Sequence, residues 1–199
     1  MKRDVGILVF DEVEVLDFAG PFEVFAVTNS LNQDAVFSTY TLAESPAAIR
    51  ARNGLEILPT RTLESAAPAI LVVPGGFGTR PLLRRPALLD WIRRTAGAAE
   101  LVVSVCTGSL VLGAAGLLDG LTATTHFAAL DELRAIAPRA EVVGDRRFID
   151  HGKIVTAAGI SAGIDVSLHV VGRLLGPEVA RRTADYMEYH WRDDGGRQR

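Results

Sequence analysis

Cys106 is the residue of this sequence best placed for nucleophilic chemistry. It follows the apolar run Leu101–Val105 and precedes Thr107 and Gly108. A nucleophile between a buried strand and a helix is presented at the apex of the turn, and a nearby glycine lets the backbone pack closely. The N–H groups at the start of such a helix lower a thiol pKa. An inert, buried thiol is the alternative, and the position of Cys106 favours the nucleophile.

Asp17 is the candidate acid/base partner. It lies soon after the first apolar run, Val5–Phe10, and has apolar neighbours on both sides. Burial among apolar residues raises the pKa of a carboxyl group and suits it to proton transfer. Alternatively, Asp17 caps a helix predicted to start at Pro21, since Asp favours that position. The residues alone leave both interpretations open.

A glycine-rich turn, Pro74–Gly78, follows the apolar run Ile70–Val73. Glycines permit positive φ and leave backbone N–H groups exposed, so Gly75 and Gly76 are candidates for an oxyanion hole. A phosphate loop is disfavoured because the segment has neither a Lys-Ser/Thr pair nor the G-x-G-x-x-G spacing. A plain tight turn is the alternative.

The histidines are spaced unlike any metal-binding motif, so we predict no metal site. His126 follows Thr124 and Thr125 and could lie near Cys106, which would allow a Cys–His pair. His169 lies in an apolar helical stretch and is expected to be packed, whereas His151 and His190 are expected to be exposed.

Composition predicts one soluble globular domain. The chain has 199 residues, of which 48% are hydrophobic and 23% charged. We place the domain at residues 1–192, with a polar tail at 193–199 that we expect to be disordered. A net charge of −3 argues against a nucleic-acid binder. A single cysteine excludes an internal disulfide and a multi-cysteine zinc site.

Leu101–Leu118 lacks charged residues and is long enough to be a borderline membrane span. Its interior is polar and turn-forming around Cys106, so we expect a buried strand, a turn and a helix instead. The apolar run after Asp4 is too short for a secretion signal. The sequence therefore predicts a cytoplasmic protein without a membrane partner.

The elements that position these residues show two patterns of apolar residues, one typical of buried strands and one typical of helices. Short apolar runs predict strands, and two hairpins are expected around Asn53-Gly54 and His151-Gly152. The remaining segments have helical spacing: Pro21–Val27, Pro86–Ala96, Gly108–Ala115, Phe127–Ile136, Ala162–Leu175 and Glu178–Tyr189. This order predicts an α/β fold with a mostly parallel central sheet and helices on both faces. Ligands of such sheets bind beyond the carboxyl ends of the strands, which is where the candidate residues lie.

The chain resembles the ThiJ/PfpI superfamily, flavodoxin-like relatives of the class I glutamine amidotransferases. The segments that carry the resemblance occur in family order over nearly the whole chain: Val5–Phe10, Leu16–Phe25, Val72–Gly76, Val103–Gly108, Thr124–His126 and Ala158–Asp165. The resemblance implies a flavodoxin-like sandwich and a homodimer.

Within the superfamily the chain is most similar to the isonitrile hydratase branch. Asp17–Pro21 and Cys106–Ser109 match that branch. Protease-like members place a histidine directly after the cysteine, where this chain has Thr107. Amidotransferases need a late His-x-Glu, which the segment starting at His190 does not supply.

The resemblance also implies roles for single residues. Cys106 would be the nucleophile, Asp17 its acid/base partner and Thr107 a further essential polar residue. The N–H groups of Gly76 and Thr107 would line an anion site, to which we also assign Gly75 and His126. The implied reaction is hydration of an isocyanide, a small-molecule substrate, to an N-substituted formamide without a cofactor.

Two other functions are compatible with the same residues. The Asp17–Pro21 pattern also resembles the N-terminal, ligand-sensing domain of AraC-type regulators. Those proteins carry a DNA-binding domain afterwards, and since this sequence ends at Arg199, a sensor would need truncation or a separate DNA-binding partner. Alternatively, Cys106 is oxidised to a sulfinate or reacts with glyoxals in a protein that responds to redox or carbonyl damage.

Overall fold

A computed structural model describes residues 2–191. The tail predicted at residues 193–199 lies outside the described residues. Within them the strands are β1 (Arg3–Leu8), β2 (Phe37–Ala43), β3 (Ile49–Arg50), β4 (Glu56–Ile57), β5 (Arg61–Thr62), β6 (Ile70–Val73), β7 (Leu101–Val105), β8 (Thr122–Ala123), β9 (Glu141–Val142), β10 (Phe148–Asp150) and β11 (Ile154–Ala157). The α-helices are α1 (Val15–Leu31), α2 (Thr79–Leu82), α3 (Pro86–Ala98), α4 (Gly108–Ala114), α5 (Leu130–Ile136), α6 (Ala162–Leu175) and α7 (Pro177–Tyr186).

Seven strands form the central sheet in the order β10-β11-β7-β6-β1-β2-β5. All neighbours are parallel except β10 and β11, which form the predicted antiparallel hairpin around Gly152. The second predicted hairpin pairs β3 with β4 across Asn53 and Gly54, whose φ values are 61° and 88°. The mostly parallel sheet and both hairpins predicted from the sequence are confirmed.

The sheet is covered on both faces, which is why its inner strands are mostly apolar. Every residue of β6 and β7 is buried. Helices α1, α6 and α7 contact one another and form one layer, while α2, α3 and α5 each contact α4 in the other. The predicted flavodoxin-like arrangement of helices on both sides of the sheet is confirmed.

The register of the central strands places the functional segments at one edge. Ile7 of β1 lies beside Val72 of β6, Val73 lies beside Ser104 of β7, and Ser104 lies beside Thr156 of β11. Since these strands are parallel, the segments that follow their carboxyl ends emerge close together.

Helix α1 differs from its prediction. It begins at Val15 rather than Pro21, and Pro21 lies inside it. A proline inside a helix removes one backbone hydrogen bond, so the first turn is its usual position. Here Phe18, Val24 and Phe25 are buried, and this packing against the sheet outweighs the local signal. The helix therefore contains Asp17 in its first turn.

The uncharged stretch Leu101–Leu118 is divided between β7, the Cys106 turn and α4, as predicted. Among residues 2–191, no helix is both long enough and apolar enough to cross a membrane.

Candidate active site

Cys106 occupies a strained turn between β7 and α4. Its φ is 56°, a left-handed conformation that costs a non-glycine residue about 1–3 kcal/mol. The turn is held by the Cys106 N–H, which donates to the carbonyls of Ala157 and Ala158 at 3.1 and 3.0 Å. A Cβ added to Gly108 would lie only 1.9 Å from the carbonyl oxygen of Val73. The close approach of α4 to β6 therefore requires glycine, as expected for a nucleophile elbow.

The Cys106 thiol is largely enclosed, with 6% of the residue exposed. Burial raises its pKa to about 12, and the charge of Asp17 adds to this rise. The backbone N–H groups of Thr107 and Ile160 act in the opposite direction and lower the pKa. The thiol is thus protonated in the resting protein, with two backbone donors that would stabilise a thiolate.

Asp17 is fully buried and its carboxyl group faces the segments after β6 and β7. Its Oδ2 accepts the N–H of Gly75 at 3.0 Å, whereas Oδ1 has no hydrogen bond of regular geometry. Burial raises the pKa of Asp17 to about 7, and hydrogen bonds from Gly75, Cys106 and Ile160 limit the rise. Asp17 makes no capping hydrogen bond, because Glu14 is the N-cap residue. The helix-cap interpretation is therefore wrong.

Gly75 and Gly76 hold side chains of the site. The Gly75 N–H donates to Asp17, and the Gly76 N–H donates to Thr107 Oγ1 at 3.0 Å. The Thr107 hydroxyl donates back to the carbonyl of Gly76 at 3.2 Å. Both glycine N–H groups predicted for anion binding therefore have partners in this structure, and binding of a ligand to them stays a prediction. The Thr107 N–H, which was also assigned to the anion site, is directed at Cys106.

A cavity of about 260 Å³ opens onto Cys106. Its lining residues include Glu14, Arg52, Gly76, Phe77, Arg80, Thr107, His126 and Ile160. The guanidinium of Arg52 stacks on Phe77 at 3.8 Å from the ring centroid, and Arg80 pairs with Glu132 at 2.6 Å. The site predicted from the sequence thus brings Cys106, Asp17, Thr107, Gly75 and Gly76 together beside a cavity suited to a small molecule.

His126 reaches the same cavity but is not paired with the thiol. Its Nδ1 accepts the N–H of Ala128 at 3.2 Å, and its ring packs on Phe127 with centroids 4.4 Å apart. Gly159 touches its other side, since an added Cβ there would lie 2.3 Å from His126 Cδ2. The imidazole is therefore a wall of the cavity, and Asp17 rather than His126 is the titratable partner of Cys106.

The other histidines lie away from Cys106. His151 and His190 are exposed as predicted. His169 is half-buried and packs on Phe148 with ring centroids 4.7 Å apart, as predicted, and its Nε2 lies 2.7 Å from Asp150 Oδ2. In the described part of the chain, no three His, Cys, Asp or Glu side chains are grouped so as to hold a metal ion.

Ile160 is a site residue that the sequence reasoning missed. It follows β11, has φ of 49°, and lines the cavity beside Cys106. The signal was available, because Gly159-Ile160-Ser161 follows an apolar strand as the other two turns do. The Ile160 side chain is neither acidic nor nucleophilic, and the residue contributes its backbone, so its type alone does not mark it as a site residue.

The sequence matches known proteins over most of its length. The model of the DJ-1/PfpI family matches residues 3–173. The isonitrile hydratase of Pseudomonas putida is 39% identical over 95% of this chain and 79% of its own length. The HTH-type transcriptional regulator CdhR of Pseudomonas aeruginosa is 30% identical over 93% of this chain, which spans 54% of the regulator.

Solved structures give the same fold. A ThiJ/PfpI family protein from Pseudomonas syringae superposes with a TM-score of 0.86 at 28% identity, covering 98% of this chain and 78% of its own. DJ-1beta of Drosophila melanogaster superposes with a TM-score of 0.84 at 18% identity, covering 96% of this chain and all of its own.

Proposed function

The chain belongs to the DJ-1/PfpI family, and we propose that it hydrates isocyanides to N-substituted formamides, with Cys106 as the nucleophile and Asp17 as the acid/base. The observation that carries the proposal is the buried pair formed by one carboxyl and one thiol beside a small cavity. Similarity to the isonitrile hydratase of Pseudomonas putida supports the choice of substrate. Site residues of this kind suit a substrate whose reacting carbon must receive both a proton and a nucleophile.

In the first step, a proton and the Cys106 sulfur add to the terminal carbon of the isocyanide. Ionised Asp17 takes the proton of the Cys106 thiol, and this proton then passes from Asp17 to that carbon while the thiolate forms a C–S bond to it. The product is a thioimidate, R–N=CH–S–Cys106, and Asp17 is left ionised. A pKa of about 7 lets Asp17 hold its proton near neutral pH and still release it.

The second step returns both groups to their starting states. Ionised Asp17 takes a proton from water, and the oxygen of that water bonds to the thioimidate carbon. Asp17 then passes the proton to the substrate nitrogen and receives the proton of the new hydroxyl as the C–S bond breaks. The products are the N-substituted formamide, the Cys106 thiolate and protonated Asp17, which returns its proton to the sulfur. A thiolate is a good leaving group for this collapse.

The backbone donors fit the charges that develop. The N–H groups of Thr107 and Ile160 favour the ionised form of Cys106, so they stabilise sulfur when it attacks and when it leaves. The Thr107 hydroxyl is tied to both backbone groups of Gly76. We propose that this reciprocal pair fixes the Thr107 N–H against the sulfur.

Formamide production from a simple isocyanide tests the proposal. The wild type, Cys106→Ala, Asp17→Asn and the remote control Arg139→Gln are compared by chromatography of the product. We expect turnover in the wild type and the control, and a loss of at least about 10³-fold in the two site variants. Turnover that survives in Cys106→Ala would exclude the covalent route.

Ligand sensing is a second candidate function, supported by the similarity to the regulator CdhR over 93% of this chain. In that case the cavity binds a small molecule without turning it over. Wild-type protein that binds an isocyanide or formamide in calorimetry but yields no product over hours would favour sensing over hydration.

We further propose that the protein acts as a homodimer in the cytoplasm. Light scattering coupled to size exclusion should give twice the chain mass of 21.3 kDa, and cell fractionation should place the protein in the cytoplasmic fraction. A chain-sized mass at micromolar concentration contradicts the dimer.

A further inference from the structure

Ile160 lies in a backbone conformation that the turn must be forced to keep. Its φ of 49° is left-handed, and β-branched residues are rare there because the side chain crowds the backbone. Its N–H donates to no carbonyl oxygen in the described part of the chain, and Ile160 lines the cavity with Cys106. The strained turn therefore leaves this N–H directed at the side chains of Cys106 and Asp17 rather than at a backbone carbonyl.

Arg147 holds the Ile160 turn at both ends. Its carbonyl accepts the N–H of Ala158 at 2.8 Å, and its guanidinium donates to Ser161 Oγ at 3.0 Å. The carbonyl of Ala158 accepts the N–H of Cys106 at 3.0 Å. Arg147 therefore contacts both ends of the segment that connects β11 to α6. One of these contacts is with Ala158, which is itself hydrogen-bonded to Cys106.

Asp165 fixes the guanidinium of Arg147. The Arg147 Nε donates to Asp165 Oδ2, and Asp165 is 3% exposed. The other oxygen, Oδ1, accepts the hydroxyl of Tyr189 at 3.0 Å. A buried carboxylate with both oxygens engaged restricts an arginine more closely than a surface ion pair does. The brace formed by Arg147, Asp165 and Tyr189 is therefore rigid, and the mechanism described above does not use it.

We propose that Arg147 and Asp165 are positioning residues that hold the Ile160 turn so that its backbone N–H stays directed at Cys106 and Asp17. The inference depends on the proposed nucleophilic role of Cys106 but not on the identity of the substrate. Without the brace, Ile160 relaxes to negative φ and its N–H turns away. The ionised forms of the thiol and the carboxyl then lose a shared donor.

Alkylation of Cys106 by iodoacetamide measures this positioning without requiring isocyanide turnover. Rates are followed by intact mass from pH 7 to 10 in the wild type and in Arg147→Gln. We expect alkylation to be about tenfold slower in the variant at each pH, which displaces the curve by about one pH unit. If the variant hydrates isocyanides, the rising limb of its pH profile should also move to higher pH.

A second set of variants separates positioning from folding. Arg147→Gln leaves Asp165 buried without its cation, which is destabilising, so Arg147→Gln/Asp165→Asn removes both charges at similar volume. Arg139→Gln is the matched control because its partner Asp119 belongs to an exposed pair. We expect the double variant to keep a cooperative thermal transition and the slow alkylation, and the control to match the wild type.

Rescue identifies the turn as the element that the brace acts on. Asn tolerates positive φ better than other non-glycine residues, so adding Ile160→Asn to Arg147→Gln should recover at least half of the lost alkylation rate. A folded Arg147→Gln/Asp165→Asn protein with the wild-type alkylation curve would overturn the proposal. This outcome differs from failure of the proposed function, in which wild-type Cys106 is alkylated but no formamide forms.

Discussion

At the scale of the residue, the reaction needs Cys106 in its ionised form and Asp17 in its protonated form, and the two side chains share one buried environment. Burial disfavours the charged form of both groups, so the thiol pKa rises to about 12 and the carboxyl pKa to about 7. Below about pH 7 the pair carries two protons, and above it one proton is shared. The one-proton state is the one that can supply both a thiolate and an acid. The pair therefore titrates as a unit.

The pH dependence of hydration follows from this pair. We expect kcat/KM to rise with pH up to an inflection near 7, because loss of the first proton creates the reactive state. An activity that falls as pH increases through 7 contradicts this assignment. In Asp17→Asn the residual activity should lack the inflection. Initial rates between pH 5 and 9 in buffers of constant ionic strength measure both.

Gly75 is predicted to be intolerant of any side chain. An added Cβ would lie 2.5 Å from Thr107 N and 2.8 Å from Asp17 Oδ2, so Gly75→Ala must displace both groups. We expect a loss of activity of at least about 10²-fold. Gly97→Ala is the control, because nothing lies within 4 Å of its added Cβ and alanine favours the interior of α3 by up to about 1 kcal/mol. Equal activity in the two variants would refute the close packing.

At this scale, the sequence predicts the place of those site residues whose side chains carry the proposed chemistry, while their roles stay predictions. Type and neighbours indicate Cys106, and they leave Asp17 open between an acid/base role and a helix cap. The family resemblance favours the first role for Asp17 and adds Thr107, and the structure brings the three residues together. Sequence reasoning failed for Ile160, whose role depends on the φ of its backbone. It also assigned the N–H of Gly76 to a ligand, whereas that N–H donates to Thr107. Backbone direction and the choice between competing acceptors depend on contacts that are distant in sequence.

At the scale of the element, the site is a product of parallel strands in register. Apolar runs predicted β6 and β7 with the boundaries observed, because strands buried on both faces carry few polar residues. The start of α1 was not predictable in the same way. Pro21 signals a first turn, but packing of Phe18 and Phe25 under the sheet extends the helix to Val15. Local propensity gives way where a long apolar face is buried.

The junction between β6 and α4 gives a prediction at this scale. Gly108→Ala would place a Cβ 1.9 Å from the Val73 carbonyl, so the helix must move away from the strand. We expect a loss of about 3 kcal/mol or more in the free energy of unfolding. Gly113→Ala in the same helix is the matched control, since its nearest contact is the Ala137 methyl at 3.1 Å. That variant should change stability by less than about 1 kcal/mol, and urea unfolding compares them.

At the scale of the whole molecule, the raised pKa of Asp17 links stability to pH. Between about pH 4 and 7 the folded protein keeps a proton that the unfolded chain has lost. The free energy of unfolding therefore decreases as pH rises through this window, by at most about 4 kcal/mol from this group. Above pH 7 the contribution is constant.

Asp17→Asn should remove this dependence. The free energy of unfolding of the variant minus that of the wild type should be larger at pH 8 than at pH 5, since the amide needs no proton. Urea unfolding of both proteins at the two pH values isolates the effect, because all other titrating groups are shared. A stability difference that does not change with pH would show that Asp17 has an ordinary pKa in the folded protein.

The narrow access to Cys106 has a consequence for the shape of its reactants. With 6% of the residue exposed, little of the Cys106 surface can be approached, and we expect slender groups to reach the sulfur more readily than wide ones. An isocyano group is linear, and its reactive carbon is the tip of the rod, with no substituent beside it. A ketone or a branched aldehyde presents its carbon flanked by two groups and meets the walls first. We therefore expect the enclosure of Cys106 to favour reactants that are narrow around their reacting carbon.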